Sequence, residues 1–335
     1  MSDRHSHGRA TLFFITPQTQ CFMKKVLLCI SVFAILGCSG GDGEKKSYKF
    51  TTGPQGGAWY PLGGAIKSLV ESANPNLSIR VIPGGGVGNV KALHSGQASI
   101  ALAGNISTMD GILGREPFKE KMQGICNIAT LYQQYFQVIT LSESNITAAN
   151  DIKGKVLATQ PKGTTGEAVT NHLLLAHGMD FDSPSSVNIG SYTDSVTLMK
   201  DGNADVFTLA TTIPSGAVMD LASARNIRVM PISNEGLGEM KKLNPGYEKG
   251  FIPKGTYPGQ DTDVPTVIYL THLAARCDVD DVVVTQLLES ISNGNQELIS
   301  ITSALKNLTL EKMAMDLGIP MHQAARRWFE EKGVL

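Results

Sequence analysis

The stretch Thr51-Thr52-Gly53-Pro54-Gln55-Gly56-Gly57-Ala58-Trp59-Tyr60-Pro61-Leu62-Gly63-Gly64 decides how this chain is read. A short apolar strand, Tyr48 to Phe50, precedes it, and an apolar-periodic helix opens from it. Five glycines and two prolines crowd this strand-to-helix junction, with an aromatic pair among them. Glycine lets the backbone turn sharply and approach a ligand closely. The helix N-terminus beyond it offers free N–H groups and the positive end of a dipole to an anion. Taken alone, the stretch reads better as a tight turn between strand and helix.

Its surroundings decide between the two readings. Strand Tyr48–Thr52 leads to a helix with apolar residues at Leu62, Ile66, Leu69, Val70 and Ala73, stopped by Asn74-Pro75-Asn76. Strand Leu77–Ile82 ends in Pro83-Gly84-Gly85-Gly86-Val87-Gly88-Asn89 and opens a short helix to Leu93. A third strand, Ala98–Ala103, ends at Gly104-Asn105. The same order returns later: Lys155–Thr159, then Gln160-Pro161-Lys162-Gly163-Thr164-Thr165-Gly166 and a helix through Leu175. Strand Val187–Ile189 leads into Gly190-Ser191-Tyr192-Thr193-Asp194 and a helix through Met199, and strand Ala204–Leu209 ends in Ala210-Thr211-Thr212.

The two passages share an offset. Pro54 and Gly56 fall 107 residues before Pro161 and Gly163 (161−54, 163−56). His94-Ser95-Gly96-Gln97-Ala98-Ser99-Ile100 matches Lys200-Asp201-Gly202-Asn203-Ala204-Asp205-Val206 at an offset of 106 (202−96). Two βαβαβ units therefore carry glycine-bearing turns at equivalent strand ends. Ligands of open α/β sheets bind beyond the carboxyl ends of the strands. Two such lobes facing each other make a clamshell that closes about a ligand by hinge motion.

The fold expected is α/β, two-lobed, each lobe a βαβαβ-based open sheet. Ile128–Thr140, with Tyr132, Tyr135 and Phe136, reads as a crossover strand, and Ile227–Pro231 as the return crossing. Strand Thr266–Leu273 and the helices from Val279 onward complete the first lobe. Lobe I then covers 47–136 and 233–335, and lobe II covers 137–232.

Composition narrows the function. The 335 residues are 42% hydrophobic, enough for a large core. Charge is balanced, 29 Lys+Arg against 30 Asp+Glu, with the basic residues scattered, so no electrostatic footprint for nucleic acid is present. Met23-Lys24-Lys25, an apolar run Val26–Leu36 and Gly37-Cys38 read as a secretory signal too short to span a bilayer. Met23 is the expected start, downstream of an extension within segment 1–37. Ile35-Leu36-Gly37-Cys38 resembles a bacterial lipobox, which makes Cys38 a lipidation site and 38–46 a linker that tethers a soluble domain to a membrane surface in the periplasm or cell envelope. Cys126 and Cys277 are either a disulfide or two buried thiols, since neither has a metal or redox spacing.

Enzyme signatures are weak. Gly84 to Asn89 misses the dinucleotide spacing, no Walker lysine follows a glycine loop, and no nucleophile elbow occurs. His94, His172, His272 and His322 are isolated, so neither a metal nor a cofactor is expected.

Thr52-Gly53, Gly56-Gly57, Tyr60-Pro61-Leu62-Gly63-Gly64, Gly84-Gly85 with Asn89, Ile252-Pro253, Gly255-Thr256-Tyr257 and Asp263-Val264-Pro265-Thr266 together resemble the TAXI family of solute receptors of TRAP transporters. Leu308-Thr309-Leu310-Glu311 and Ile319-Pro320-Met321-His322-Gln323-Ala324-Ala325 follow its closing pattern, so the resemblance spans residues 47–335. It implies a type II periplasmic-binding-protein fold that hands a small anionic solute, such as glutamate or 2-oxoglutarate, to TRAP permease subunits. Two positions depart from the pattern: Trp59 replaces a commoner Tyr or Val, and Gly88 replaces a larger polar residue.

The ligand-binding candidates are the turn residues. From lobe I they are Gly56, Gly57, Trp59 and Tyr60, with Gly86 and Asn89, then Asn105 and Ser107. From lobe II they are Lys162, Thr164, Thr165 and Gly166, with Thr211 and Thr212, while Tyr132 forms a cleft wall. Plainer roles compete: Trp59 and Tyr60 as helix packing, Thr164 as an N-cap, Lys162 as a solvated lysine, Gly86 and Asn89 as turn and cap. No arginine sits in these turns, and Arg115 is the nearest fork for a carboxylate.

Overall fold

The computed structural model describes residues 45–335. The signal and lipidation readings, Cys38 included, lie outside the described residues.

Strand β1 (Lys46–Thr51) buries Tyr48 and Phe50 on one face and leaves Lys49 exposed, the alternation of a half-buried strand. It pairs in parallel with β2 (Leu77–Ile82) and with β3 (Ile100–Gly104). Helix α1 (Trp59–Ala73) joins β1 to β2, and α2 (Gly86–His94) joins β2 to β3. Helix α3 (Asn105–Leu113) follows β3 at once. The second unit repeats this plan: β5 (Val156–Thr159) pairs in parallel with β6 (Ser186–Ile189) and β7 (Val206–Thr211). Its helices are α4 (Thr165–Ala176) and α5 (Tyr192–Lys200).

The internal repeat read from the sequence is thus structural, and its glycines show why. Gly56 and Gly163 both take left-handed φ, +86° and +79°, and so do Gly96 and Gly202, +72° and +74°. Side chains with a Cβ avoid that region, so each pair marks the same turn in both units.

One curled mixed sheet carries both units, in the order β2-β1-β3-β10-β4-β7-β5-β6. Two long strands join them: β4 (Ile125–Leu141) and β10 (Val264–Arg276). They run antiparallel from Ile125↔Arg276 to Tyr135↔Ile268. Beyond Tyr135, β4 pairs with β7 as far as Thr140↔Val206. The expected crossover strand is β4. The return crossing is different: Ile227–Val229 forms β8, a three-residue strand against the end of β4, and the chain runs back along β10 instead. A three-residue strand cannot span both units, whereas thirteen residues can.

Helix α6 (Gly216–Ala224) follows β7 and packs on α5; α7 (Asn234–Leu243) follows β8 and packs on α4; β9 (Glu248–Ile252) pairs with β10. The stretch just after residue 232, expected with the first lobe, therefore lies against second-unit helices. Helices α8 (Asp281–Asn293), α9 (Asn295–Ile301), α10 (Leu310–Met313) and α11 (Gln323–Glu331) close the chain. The largest core cluster joins Phe50, Ile66 and Val70 to Leu287, Trp328 and Phe329, so the C-terminal helices complete the first unit. Leu157, Val169 and Leu173 centre a second cluster with Met240 and Tyr247.

Of the two cysteine readings the disulfide is the observed one. Cys126 and Cys277 are bonded, with Cα atoms 5.1 Å apart, joining the start of β4 to the residue after β10.

Candidate functional site

The carboxyl ends of β1, β2, β5 and β7 meet over the β4–β10 pair and enclose a cavity. The centre of a water molecule can range over about 30 Å³ of it. Gly57 and Trp59 line it from the first turn, and Gly86 from the second. Thr164, Thr165 and Gly166 line it from the other unit, with Thr211 at the end of β7. These seven are the predicted residues that the fold brings together.

Two turns come into direct contact beside the cavity. The backbone N–H of Gly88 donates to the Gly163 carbonyl at 2.9 Å, and the Ser107 hydroxyl donates to Thr165 Oγ1 at 3.1 Å. A Cβ on Gly86 would sit 1.8 Å from Thr165 Oγ1, so only glycine permits this approach.

The other predicted residues have other places. Gly56 and Lys162 are exposed, and Tyr60 and Thr212 are partly buried outside the cavity wall. Asn89 is a strut: its amide donates to the Thr52 and Leu102 carbonyls at 2.6 and 2.8 Å and accepts from the Gly85 N–H. Asn105 accepts from the Leu270 N–H at 2.9 Å. Ser107 reaches the other unit but does not line the cavity. Tyr132 does not line this cavity; it is buried, borders a separate recess with Leu131 and Gln133, and its hydroxyl has no partner among the described residues. Thr164 does both jobs proposed for it, capping α4 by accepting the Glu167 N–H at 3.2 Å while its side chain faces the cavity. Arg115 pairs with Asp110 at 2.8 Å, away from the cavity.

Four side chains that decide the cavity's chemistry were absent from the candidates. Gln134 of β4 donates from Nε2 to Thr271 Oγ1 at 2.9 Å, and the Trp59 indole donates to the same oxygen at 3.2 Å. Gln134 Oε1 is buried without a partner. Gln160 Nε2 donates to the Tyr192 hydroxyl at 2.7 Å, and its Oε1 accepts from the Ala210 N–H at 2.8 Å. Tyr269 of β10 completes the wall. Burial pushes the phenols of Tyr192 and Tyr269 up, so both stay protonated donors at neutral pH. Two signals were available: Gln160 and Tyr192 sit in the repeated turns, and Gln134 in the aromatic crossover strand.

Among the described residues, none that lines the cavity carries a charged side chain. The N-termini of α1 and α2 have no side-chain cap and no acidic residue in the first turn, so their N–H dipoles supply positive potential there. Hydroxyls, amides and helix ends can bind and orient a polar solute. Among the described residues, the wall holds none whose side chain ordinarily titrates near neutrality, and no nucleophile paired with a base.

A model of the NMT1-like family matches residues 50–333, which is nearly the whole described chain. The chain belongs to the NMT1-like family. Solved structures agree on the fold. A protein from Bordetella bronchiseptica RB50 is similar at a TM-score of 0.55 and 16% identity, over 87% of this chain and 99% of that one. The binding protein component of an ABC phosphonate transporter from Pseudomonas aeruginosa is similar at a TM-score of 0.51 and 11% identity, over 78% and 79% of the two chains. This NMT1-like protein thus has the two-lobed periplasmic-binding-protein type of fold. Among its described residues, no helix is long and apolar enough to cross a membrane.

Proposed function

We propose that this chain is an extracytoplasmic solute-binding receptor. It captures a small carboxylate by closure of its two lobes and delivers it to a membrane permease of the TRAP type. The observation that carries this reading is the cavity shared by equivalent turns of the two repeats, walled by uncharged polar groups, with the ends of α1 and α2 free of side-chain caps. Such a wall suits reversible binding of an anion that must later be released. In this proposal residues 47–136 and the C-terminal helices form one lobe and 137–232 the other, α7 moving with the second lobe because it packs on α4.

The Cys126–Cys277 bond supports an oxidising compartment outside the cytoplasm. Lipidation of Cys38 would hold the receptor at the membrane surface, and the TAXI resemblance supplies the permease type. A thermal-shift and calorimetry panel of glutamate, glutamine, 2-oxoglutarate and C4-dicarboxylates tests the reading. The expected result is stoichiometric binding of at least one of them with a raised melting temperature. No response to any small carboxylate, amino acid or organic anion overturns it.

A further inference from the structure

We infer that Gln134 makes the cavity selective for solutes that bring a hydrogen-bond donor, favouring 2-amino or 2-hydroxy carboxylates over their 2-oxo counterparts. The inference rests on the receptor reading and names the solute class of the same site. Gln134 is only 2% exposed and lies on the cavity wall. Its amide is held at one end, where Nε2 donates to Thr271 Oγ1. Thr271 is itself fully buried and accepts the Trp59 indole N–H, a group that can only donate. With Nε2 committed there, Oε1 is left as a buried acceptor without a partner among the described residues, on a side chain that lines the cavity.

A buried acceptor left unpaired is costly, and a solute N–H or O–H relieves that cost. A ketone oxygen set at the same point faces it lone pair to lone pair and is rejected. Among the described residues, no cationic or anionic side chain lines the cavity to override the preference. Gln134 is therefore a specificity residue placed by the crossover strand, while the helix ends hold the carboxylate.

Matched trios test this on the full-length protein by calorimetry: L-alanine, L-lactate and pyruvate; L-glutamate, (S)-2-hydroxyglutarate and 2-oxoglutarate. In at least one trio the amino or hydroxy member binds about tenfold or more tightly than the oxo member. Gln134→Leu, which removes the acceptor, brings that ratio to within about twofold. Gln134→Glu, which keeps an acceptor oxygen on a side chain of the same length, retains the preference. Melting curves without solute confirm that both variants are folded, and the wild-type ratio is informative without either variant. Equal or tighter binding of the oxo members, or a ratio unchanged in Gln134→Leu, overturns the inference and leaves the receptor reading standing. Failure of all six compounds and of the wider carboxylate panel overturns both.

Discussion

The backbone N–H of Gly88 donates 2.9 Å to the carbonyl of Gly163, joining the second turn of one repeat to the first turn of the other. Gly88 is the third residue of α2, a position whose N–H has no partner inside its own helix. Contact between the units thus satisfies a donor that a helix end leaves free. Tight approach of the two backbones at this point brings the cavity walls together, and it depends on the missing side chains around it.

Neighbouring glycines should respond in opposite ways. A Cβ at Gly88 meets only the Gly163 carbonyl at 3.6 Å, ordinary contact, and the N–H is kept. Gly88→Ala should leave solute affinity within about twofold of wild type. A Cβ at Gly86 collides with Thr165, so Gly86→Ala should hold the turns apart at a cost of about 1–3 kcal/mol. Titration calorimetry should then show affinity reduced roughly 5- to 150-fold, with circular dichroism unchanged. Equal behaviour of the two variants would refute the contact.

Lys162 is the obvious cation in the turns, yet it is exposed and outside the wall. Lys162→Ala and Tyr60→Ala should each change affinity by less than about twofold at moderate ionic strength. Thr164→Ala removes a cap and a wall group together, so it should lower stability by about 1 kcal/mol and weaken binding as well. Melting curves and calorimetry on the three variants separate these effects.

The disulfide bridges a sequence separation of 151 residues that contains the whole second unit. Replacing both Cys126 and Cys277 with Ser should cost about 2–5 kcal/mol by releasing the unfolded chain. Calorimetric scans should show the melting temperature lower by roughly 5–15 °C. Dithiothreitol should lower the wild type similarly and leave the double variant unmoved.

Acid should destabilise the protein through two buried histidines. Burial lowers His172 from 6.5 to about 4, with Arg115 adding to it, and burial lowers His272 to about 3. His172 Nδ1 lies 2.8 Å from the Tyr247 hydroxyl, and His272 lies between Asn127 and Thr108. Below pH 6.5 the unfolded chain takes up protons that the folded histidines refuse, so stability falls as pH falls toward 4. Asp110 opposes this. Burial raises it from 3.8 to about 6 against the Asn244 amide and Arg115, so the folded form gains a proton first and stability rises there as pH falls. The melting temperature should therefore drop between pH 6 and 4, and drop more steeply in Asp110→Asn. A flatter profile in that variant would contradict the assignment.

Local chemistry made the two βαβαβ units and their turns legible. Strand alternation, helical spacing and left-handed glycines act over a few residues, and the shared offset of Gly56 with Gly163 marks the repeat in the chain itself. Gly57, Trp59, Gly86, Thr164, Thr165, Gly166 and Thr211 stand in the turns at those strand ends. Gln134 and Tyr269 did not, because their approach to the cavity depends on how β4 and β10 pair across both units, a register set by residues more than a hundred positions apart. The course of β10 as the return strand and the Cys126–Cys277 bond at the end of that pair belong to the same long-range pairing. The turns were written in the chain itself; which side chains meet between them was decided by long-range strand pairing and by how closely the glycine backbones let the two units approach.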